Sequence, residues 1–293
     1  MTPPLLLTMP GFDHTVESGH PGLEIAPVDP ERFANGELVL RLPRPAAERR
    51  CMLVGSVTPP EHRLVTFLLA ADTLKRDGAT QVSAMLPYLA YARQDRPEPR
   101  TSLACAWLGR LLHASGVDEV LTVDIHSAEA ARLLALPVRS LSSASVLASG
   151  LDVDDSATVV APDHGASARA SDLAEVLGAG HGVAWLDKRR TPDGVVHTAL
   201  HGELGRRAVV VDDILDTGAT LVSCCRELRR RGVQTIDLAV THGLFTGEAW
   251  RELLELAQTI HVTDTVPEAA WRATARIVVH RIAPWLTPAC IRA

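Results

Sequence analysis

The strongest constraint on the fold is an alternation of short β-branched apolar runs with longer segments of helical periodicity. That alternation is the mark of helices layered on a mostly parallel sheet. In the clearest unit, Ala208, Val209, Val210 and Val211 read as a buried strand and Asp212 to Thr220 as the loop after it. Leu221, Cys224, Cys225 and Leu228 then recur at the spacing of one helix face. Arg229, Arg230 and Arg231 crowd the helix end, where cations suit the dipole, and Gly232 supplies the stop before a strand at Thr235 to Val240. The first half echoes this unit: Cys51 to Val54 as strand, Arg63 to Lys75 as helix, Gly78 as stop, Gln81 to Leu86 as strand. At roughly 150 residues per domain, 293 residues suit two domains, expected at 1–145 and 146–293. The expected class is therefore α/β, with two related domains that each hold a mostly parallel sheet flanked by helices.

Composition removes several function classes. The net charge of −6 provides no positive field for nucleic acid, and 4% aromatic residues are too few for a row of base-stacking platforms. Five cysteines without a C-x-x-C pair fit neither a disulfide framework nor a structural zinc site. Residues 1–10 lack the basic and apolar regions of a secretion signal, and the apolar stretch from Leu64 to Leu74 is too short for a membrane span. A cytoplasmic protein that binds neither membrane nor nucleic acid is expected.

The loop Asp212-Asp213-Ile214-Leu215-Asp216-Thr217-Gly218-Ala219-Thr220 carries the most chemistry. The N–H groups at the start of the following helix, with its dipole, make an anion site. Gly218 and Ala219 let a phosphate approach the backbone, while Thr217 and Thr220 add hydroxyl donors. Asp212 and Asp213 would repel that phosphate unless they accept bonds from sugar hydroxyls or hold a cation. A helix cap needs one Asp or Thr; this loop has three Asp and two Thr around a glycine. A sugar phosphate suits it.

The loop resembles the phosphoribosyl-diphosphate-binding loop of phosphoribosyltransferases and ribose-phosphate diphosphokinases, so both domains are expected to be phosphoribosyltransferase-like. Further segments resemble the diphosphokinase family in particular, over about residues 33 to 282. Tyr91-Ala92-Arg93-Gln94-Asp95 is similar to its nucleotide-contacting motif, and Phe33-Ala34-Asn35-Gly36-Glu37 to its adenine-binding turn. The likeness makes Phe33, Asn35, Gly36, Glu37, Arg93 and Gln94 the ATP contacts. Val123-Asp124-Ile125-His126 and Pro162-Asp163-His164-Gly165 resemble its magnesium elements, which implies His126 and Asp163 as metal residues. Magnesium prefers oxygen ligands, so His126 is assigned by the likeness alone. Lys188-Arg189-Arg190 resembles the family's catalytic loop, where Lys188 and Arg190 would act. Asp212, Asp213, Asp216, Thr217, Gly218, Ala219 and Thr220, with Arg190, would hold the ribose phosphate.

The family resemblance implies transfer of the pyrophosphoryl group of Mg2+-ATP to C1 of ribose 5-phosphate, giving 5-phosphoribosyl 1-diphosphate and AMP. It also implies a homo-oligomer, a dimer or a hexamer, whose neighbouring subunit completes the adenine pocket. Two alternatives remain: a phosphoribosyltransferase that consumes the diphosphate, and a non-catalytic subunit regulating a synthetase. Three segments depart from the family pattern. Residues 1–30 are unlike its usual opening, the Pro97-Glu98-Pro99-Arg100 loop before a helix near Thr101 is short, and Ala128-Glu129-Ala130-Ala131-Arg132 lacks the usual residues of its segment.

Overall fold

Strands covered by helices on both faces are apolar throughout, because neither face meets water. The computed structural model describes residues 3–12, 22–154, 156–178, 182–191, 194–267 and 274–283. The chain divides into two compact units, Met1–Leu141 with Ile282–Ala293, and Ser142–Arg281. The division thus falls a few residues before the boundary read from the sequence. Ile282 joins the first unit's buried cluster of Leu6, Phe12, Met52 and Leu121.

The first unit contains β1 (Leu5–Thr8), β2 (Glu24–Pro27), β3 (Glu31–Arg32), β4 (Leu38–Val39) and β5 (Arg50–Val54), then α1 (His62–Arg76) and β6 (Gln81–Met85). It continues with α2 (Ala104–Ala114), β7 (Glu119–Val123), α3 (Ala128–Leu133) and β8 (Val138–Leu141). Among the described residues its main sheet is all parallel, in the order β2-β1-β5-β6-β7-β8, and β3 with β4 forms a separate antiparallel ribbon. On α1, Leu64, Phe67, Ala70, Ala71 and Leu74 are buried in the core beside this sheet. Each large side chain so buried contributes about 1.5–3 kcal/mol.

The second unit contains α4 (Ala144–Ala148), β9 (Ala157–Ala161), α5 (Ser167–Leu177), β10 (Gly182–Thr191) and β11 (Gly194–His201). After these come β12 (Arg207–Leu215), α6 (Ala219–Arg230), β13 (Thr235–Gly243), α7 (Leu253–Leu256), β14 (Thr259–Thr263) and β15 (Ile277–His280). Its sheet runs β11-β10-β9-β12-β13-β14-β15, parallel except for the β10–β11 hairpin at one edge. Apart from β11, the strand order of the second sheet repeats that of the first. The expected pair of related α/β domains is therefore present.

Three local expectations need correction. Asp212 and Asp213 lie in β12, which runs on to Leu215 because its backbone pairs with β13 as far as Leu215 opposite Gly243. The connecting loop is only Asp216 to Gly218. Lys188, Arg189 and Arg190 lie on β10 of the hairpin, paired with His197, Val196 and Val195, where a loop was expected. The helix after Arg100 begins at Ala104, later than Thr101. No described helix is long and apolar enough to cross a membrane. Cys51, Cys105, Cys224 and Cys225 are buried free thiols, and Cys290 lies outside the described residues.

Candidate functional site

After β9 the chain turns to one side of the second sheet to form β10, and then returns to the other side to form β12. The carboxyl ends of β9 and β12 thus flank the switch in strand order, the crevice where open α/β sheets bind ligands. Asp163 follows β9, and Asp212 and Asp213 end β12.

Gly218 is the N-cap of α6 with φ of +85°, and no side chain caps the helix. A Cβ there would come within 2.7 Å of the Trp250 Cα and 2.9 Å of its Cβ. Both the backbone angle and the packing therefore require glycine. Thr217 Oγ1 accepts from the Ala219 N–H only at the long limit of 3.5 Å. Behind the loop, Leu244 N–H donates to the Leu215 carbonyl (2.8 Å) and Thr246 N–H to the Asp216 carbonyl (3.0 Å). Trp250 is buried, set edge-on to Phe245 at 5.0 Å, and its Nε1 donates to the Gly247 carbonyl (2.9 Å). The turn is held rigidly from one side, and the start of α6 has an anion site's geometry.

Beside it lies a cluster of acids and cations. Asp213 N–H donates to Asp212 Oδ1 (2.9 Å), and Arg169 on α5 reaches Asp213 Oδ2 at 3.4 Å. Burial, and then the charge of Asp213, push the Asp212 carboxyl well above the usual carboxylate range. Asp163 Oδ1 accepts from the Ala166 N–H (3.2 Å), while Oδ2 is paired with Lys188 Nζ. Burial alone would raise the Asp163 carboxyl, but the Lys188 bond and charge, with the Ala166 and Gly165 N–H groups, bring it below its ordinary value. The structure thus joins Lys188 to Asp163 and holds that carboxylate ionised. The Arg190 side chain lies outside the described residues. At the base of the hairpin, Trp185 stacks on His201 at 5.0 Å.

In the first unit Arg93, Gln94 and His126 follow β6 and β7, and Phe33 to Glu37 lie between β3 and β4. Gln94 N–H donates to the Tyr91 carbonyl (3.0 Å), and its Oε1 accepts from Ser102 Oγ (2.8 Å). Tyr91 has φ of +68° and sits edge-on to Trp107 at 5.9 Å. Asp95 is buried and accepts from Ser127 Oγ (2.5 Å), which also caps α3 through the Ala130 N–H. This bond ties the Arg93–Gln94 loop to the one carrying His126. Phe33 to Glu37 form the tip of the β3–β4 ribbon, closed by Phe33 N–H to the Glu37 carbonyl (2.9 Å) and Gly36 N–H to the Phe33 carbonyl (2.8 Å). Asn35 Oδ1 accepts from the Glu37 N–H (3.1 Å), and Phe33 is 55% exposed. An uncovered ring at a tight polar turn suits stacking on a flat ligand. The two expected magnesium residues belong to different units, His126 to the first and Asp163 to the second.

Sequence reasoning assigned no role to Arg169, Trp250, Ser127 or His197. Arg169 carries a signal in hindsight, a cation six residues after the Asp163 that follows β9. Trp250 lies 32 residues after Gly218 and carries none.

Residues 13–116 match the N-terminal domain of ribose phosphate pyrophosphokinase, and residues 132–266 match the phosphoribosyl transferase domain. The ribose-phosphate pyrophosphokinase of Aquifex aeolicus is 33% identical over 257 residues, covering 85% of this chain and 82% of the relative. That of Methanopyrus kandleri is 35% identical over 253 residues, covering 83% of this chain and 85% of the relative. The crystal structure of phosphoribosylpyrophosphate synthetase from Mycobacterium smegmatis superposes with a TM-score of 0.83 at 26% identity, covering 99% of this chain and 98% of the other. The likeness thus begins upstream of Phe33, where the motifs alone had placed its start. The doubled sheet, the loop at Gly218 and these matches agree: the chain belongs to the ribose-phosphate pyrophosphokinase family.

Proposed function

We propose that this protein transfers the pyrophosphoryl group of ATP to ribose 5-phosphate, forming 5-phosphoribosyl 1-diphosphate and AMP. The first unit carries this reading over that of a phosphoribosyltransferase. Consuming the diphosphate would need the loop at Gly218 but no second sheet with its own Arg93–Gln94 loop, in a segment that matches the pyrophosphokinase N-terminal domain.

In this reading Thr217, Gly218, Ala219, Thr220 and Asp216 bind the 5-phosphate at the dipole of α6. Asp212, protonated more readily than an ordinary carboxylic acid, and Asp213, balanced by Arg169, bind the ring hydroxyls. Phe33, Asn35, Gly36 and Glu37 seat the adenine, and Arg93 and Gln94 contact the nucleotide. The C1 hydroxyl attacks the β-phosphorus and loses its proton as the bond to the α-phosphate oxygen breaks, releasing AMP. Lys188 and Arg190 meet the charge growing on that leaving oxygen, a donor effect worth ~3–4 kcal/mol. Such transfers depend on positioning and charge compensation rather than on covalent chemistry by the protein.

The described residues contain no cluster of three or more His, Cys, Asp or Glu arranged for a metal ion. Magnesium carried in as the ATP chelate needs no such cage, since phosphates and water fill most of its shell and one or two carboxylates suffice. Asp163, paired with Lys188, fits as that carboxylate, and the family likeness implies His126 as a second metal residue. When bound, the ion would neutralise phosphate charge. A homo-oligomer, dimer or hexamer, is part of this reading and is checked by analytical ultracentrifugation. A cytoplasmic location accords with the four buried free thiols.

The test is incubation with ribose 5-phosphate, ATP and magnesium, followed by quantifying AMP. Lys188→Ala should lower kcat about a hundredfold or more and leave the KM for ribose 5-phosphate within about twofold. Wild-type protein that forms no AMP, yet consumes the diphosphate when given a nucleobase, would be a transferase. Protein that does neither would be the regulatory subunit.

A further inference from the structure

Among the described residues β11 pairs with β10 alone, and β10 pairs with β9 only from Gly182 to Trp185, so the part of the hairpin that carries Lys188 is a two-stranded edge ribbon. A two-stranded ribbon has little stability of its own, so its position depends on what it leans against. Here that support is α6, the same helix whose first turn forms the phosphate loop. His197 of β11 lies directly across the hairpin from Lys188. It is 6% exposed, and its Nδ1 is 2.9 Å from Ser223 Oγ on α6. A second tie joins Arg231, just past the end of α6, to the Thr198 carbonyl at 2.8 Å. Ser223 lies little more than one helical turn beyond Gly218, so a short rigid path connects the phosphate loop to the residue opposite Lys188.

The imidazole is an expensive group for mere filling. Its buried Nε2 makes no well-formed hydrogen bond and has only the Pro162 backbone as a weak partner, a cost that an apolar side chain of similar size would avoid. A polar ring in this place supplies direction, since its bond to Ser223 fixes where along α6 the hairpin sits. We propose that His197 is a positioning residue for Lys188, seating the hairpin on the phosphate-binding helix so that the ammonium meets the substrate phosphates in register. This rests on the pyrophosphokinase reading and on the role given there to Lys188. A displacement of about 1 Å at a reacting group can cost a hundredfold in rate. Loss of the seat should therefore appear in kcat, while the phosphate loop keeps its affinity.

The experiment uses the full chain with AMP formation as the assay. His197→Leu keeps the volume without the bond, Ser223→Ala removes the partner, and His197→Asn places an amide where Nδ1 stood. His197→Leu and Ser223→Ala should each lower kcat about tenfold or more and leave the KM for ribose 5-phosphate within about twofold. Asn should recover most of the loss. In a Lys188→Ala background, His197→Leu should add nothing, because its effect runs through the missing ammonium. Amide exchange across 182–201 should quicken in both single variants. If His197→Leu does not fold, Ser223→Ala carries the test alone. A folded variant with wild-type kcat overturns the proposal, as does an undiminished loss in the Lys188→Ala background. Full activity of Lys188→Ala itself would instead overturn the role of Lys188, so the two failures are distinct.

Discussion

Replacing Gly218 by Ala separates backbone strain from packing at the candidate phosphate loop, because α6 carries its own control. Gly218 at its start and Gly232 just past its end have φ of +85° and +94°. A Cβ at Gly232 would meet nothing within 4 Å, whereas one at Gly218 would lie 2.7 Å from the Trp250 Cα. Gly232→Ala should therefore cost only the left-handed conformation, about 1–2 kcal/mol. Gly218→Ala carries the same strain plus an overpacking cost of about 1–3 kcal/mol, since the struck atom is backbone and cannot rotate away. At roughly 4 °C per kcal/mol for a unit of this size, the second unit should melt about 4–8 °C lower in the first variant and about 8–20 °C lower in the second. Calorimetry resolves this, fitting the two units separately because two-domain chains need not unfold in one step. Below the transition, Gly218→Ala should raise the KM for ribose 5-phosphate about tenfold or more, and Gly232→Ala should leave it unchanged. Equal melting losses, or an unaltered KM in Gly218→Ala, would refute the claim that Trp250 and Gly218 together shape the loop.

Three more outcomes follow from the charges and hydrogen bonds. Asp212 binds its proton more tightly in the folded chain than at its ordinary pKa of 3.8, so the folded state holds more protons and stability falls as pH rises from about 4 towards the raised value. Asp212→Asn should match the wild type near pH 3 and melt at a higher temperature near pH 7, though inactive; a lower melting temperature at pH 7 contradicts the shift. Burial, then the charge of His280, lower the His261 imidazole from 6.5 to about 4. The unfolded chain takes that proton first, so about 3 kcal/mol of stability should be lost as pH falls from 6.5 to 4. His261→Leu should flatten this slope in denaturant titrations, and an unchanged slope would exclude His261 as its source. Asp95→Ala frees Ser127 and unties the two nucleotide-side loops, so the KM for ATP should rise about tenfold while that for ribose 5-phosphate holds. Equal rises in both would contradict that division.

The layout was legible because its signals are local. The run at Ala208 to Val211, the periodic Leu221, Cys224, Cys225 and Leu228, and the stop at Gly232 each follow from neighbours within one element, and β12 and α6 stand where those signals put them. The extent of β12 was not legible. Asp212 and Asp213 look like loop residues by polarity, but a strand continues wherever a neighbour's backbone stays in register, here β13. Lys188 and Arg190 misled in the same way, since a charged run reads as a loop until its partner strand is known. The candidate loop residues stand out by their chemistry, while Trp250 packs against Gly218 from a distant segment and leaves no spacing to read.

The repeated strand order raises the question of why one sheet has a candidate phosphate loop and its twin does not. The place matching the loop at Gly218 is the link from β5 to α1, Gly55-Ser56-Val57-Thr58-Pro59-Pro60-Glu61. Two prolines there remove N–H groups that would face an anion, and Glu61 puts a carboxylate at the helix N-cap. Ser56 Oγ and Thr58 Oγ1 are bonded to each other at 2.7 Å, and Arg63 donates to Thr58 Oγ1 at 2.9 Å, so the hydroxyls are taken. A Cβ on Gly55 would sit 2.7 Å from Met9 Cγ, which leaves no room beside the strand end. The first unit thus fills from within the position that the second keeps for a ligand. Its candidates Arg93, Gln94 and His126 stand instead after β6 and β7, where Asp95 and Ser127 join the two loops. One fold used twice leaves one candidate phosphate loop among the described residues, because a few side chains at the matching helix start close the other.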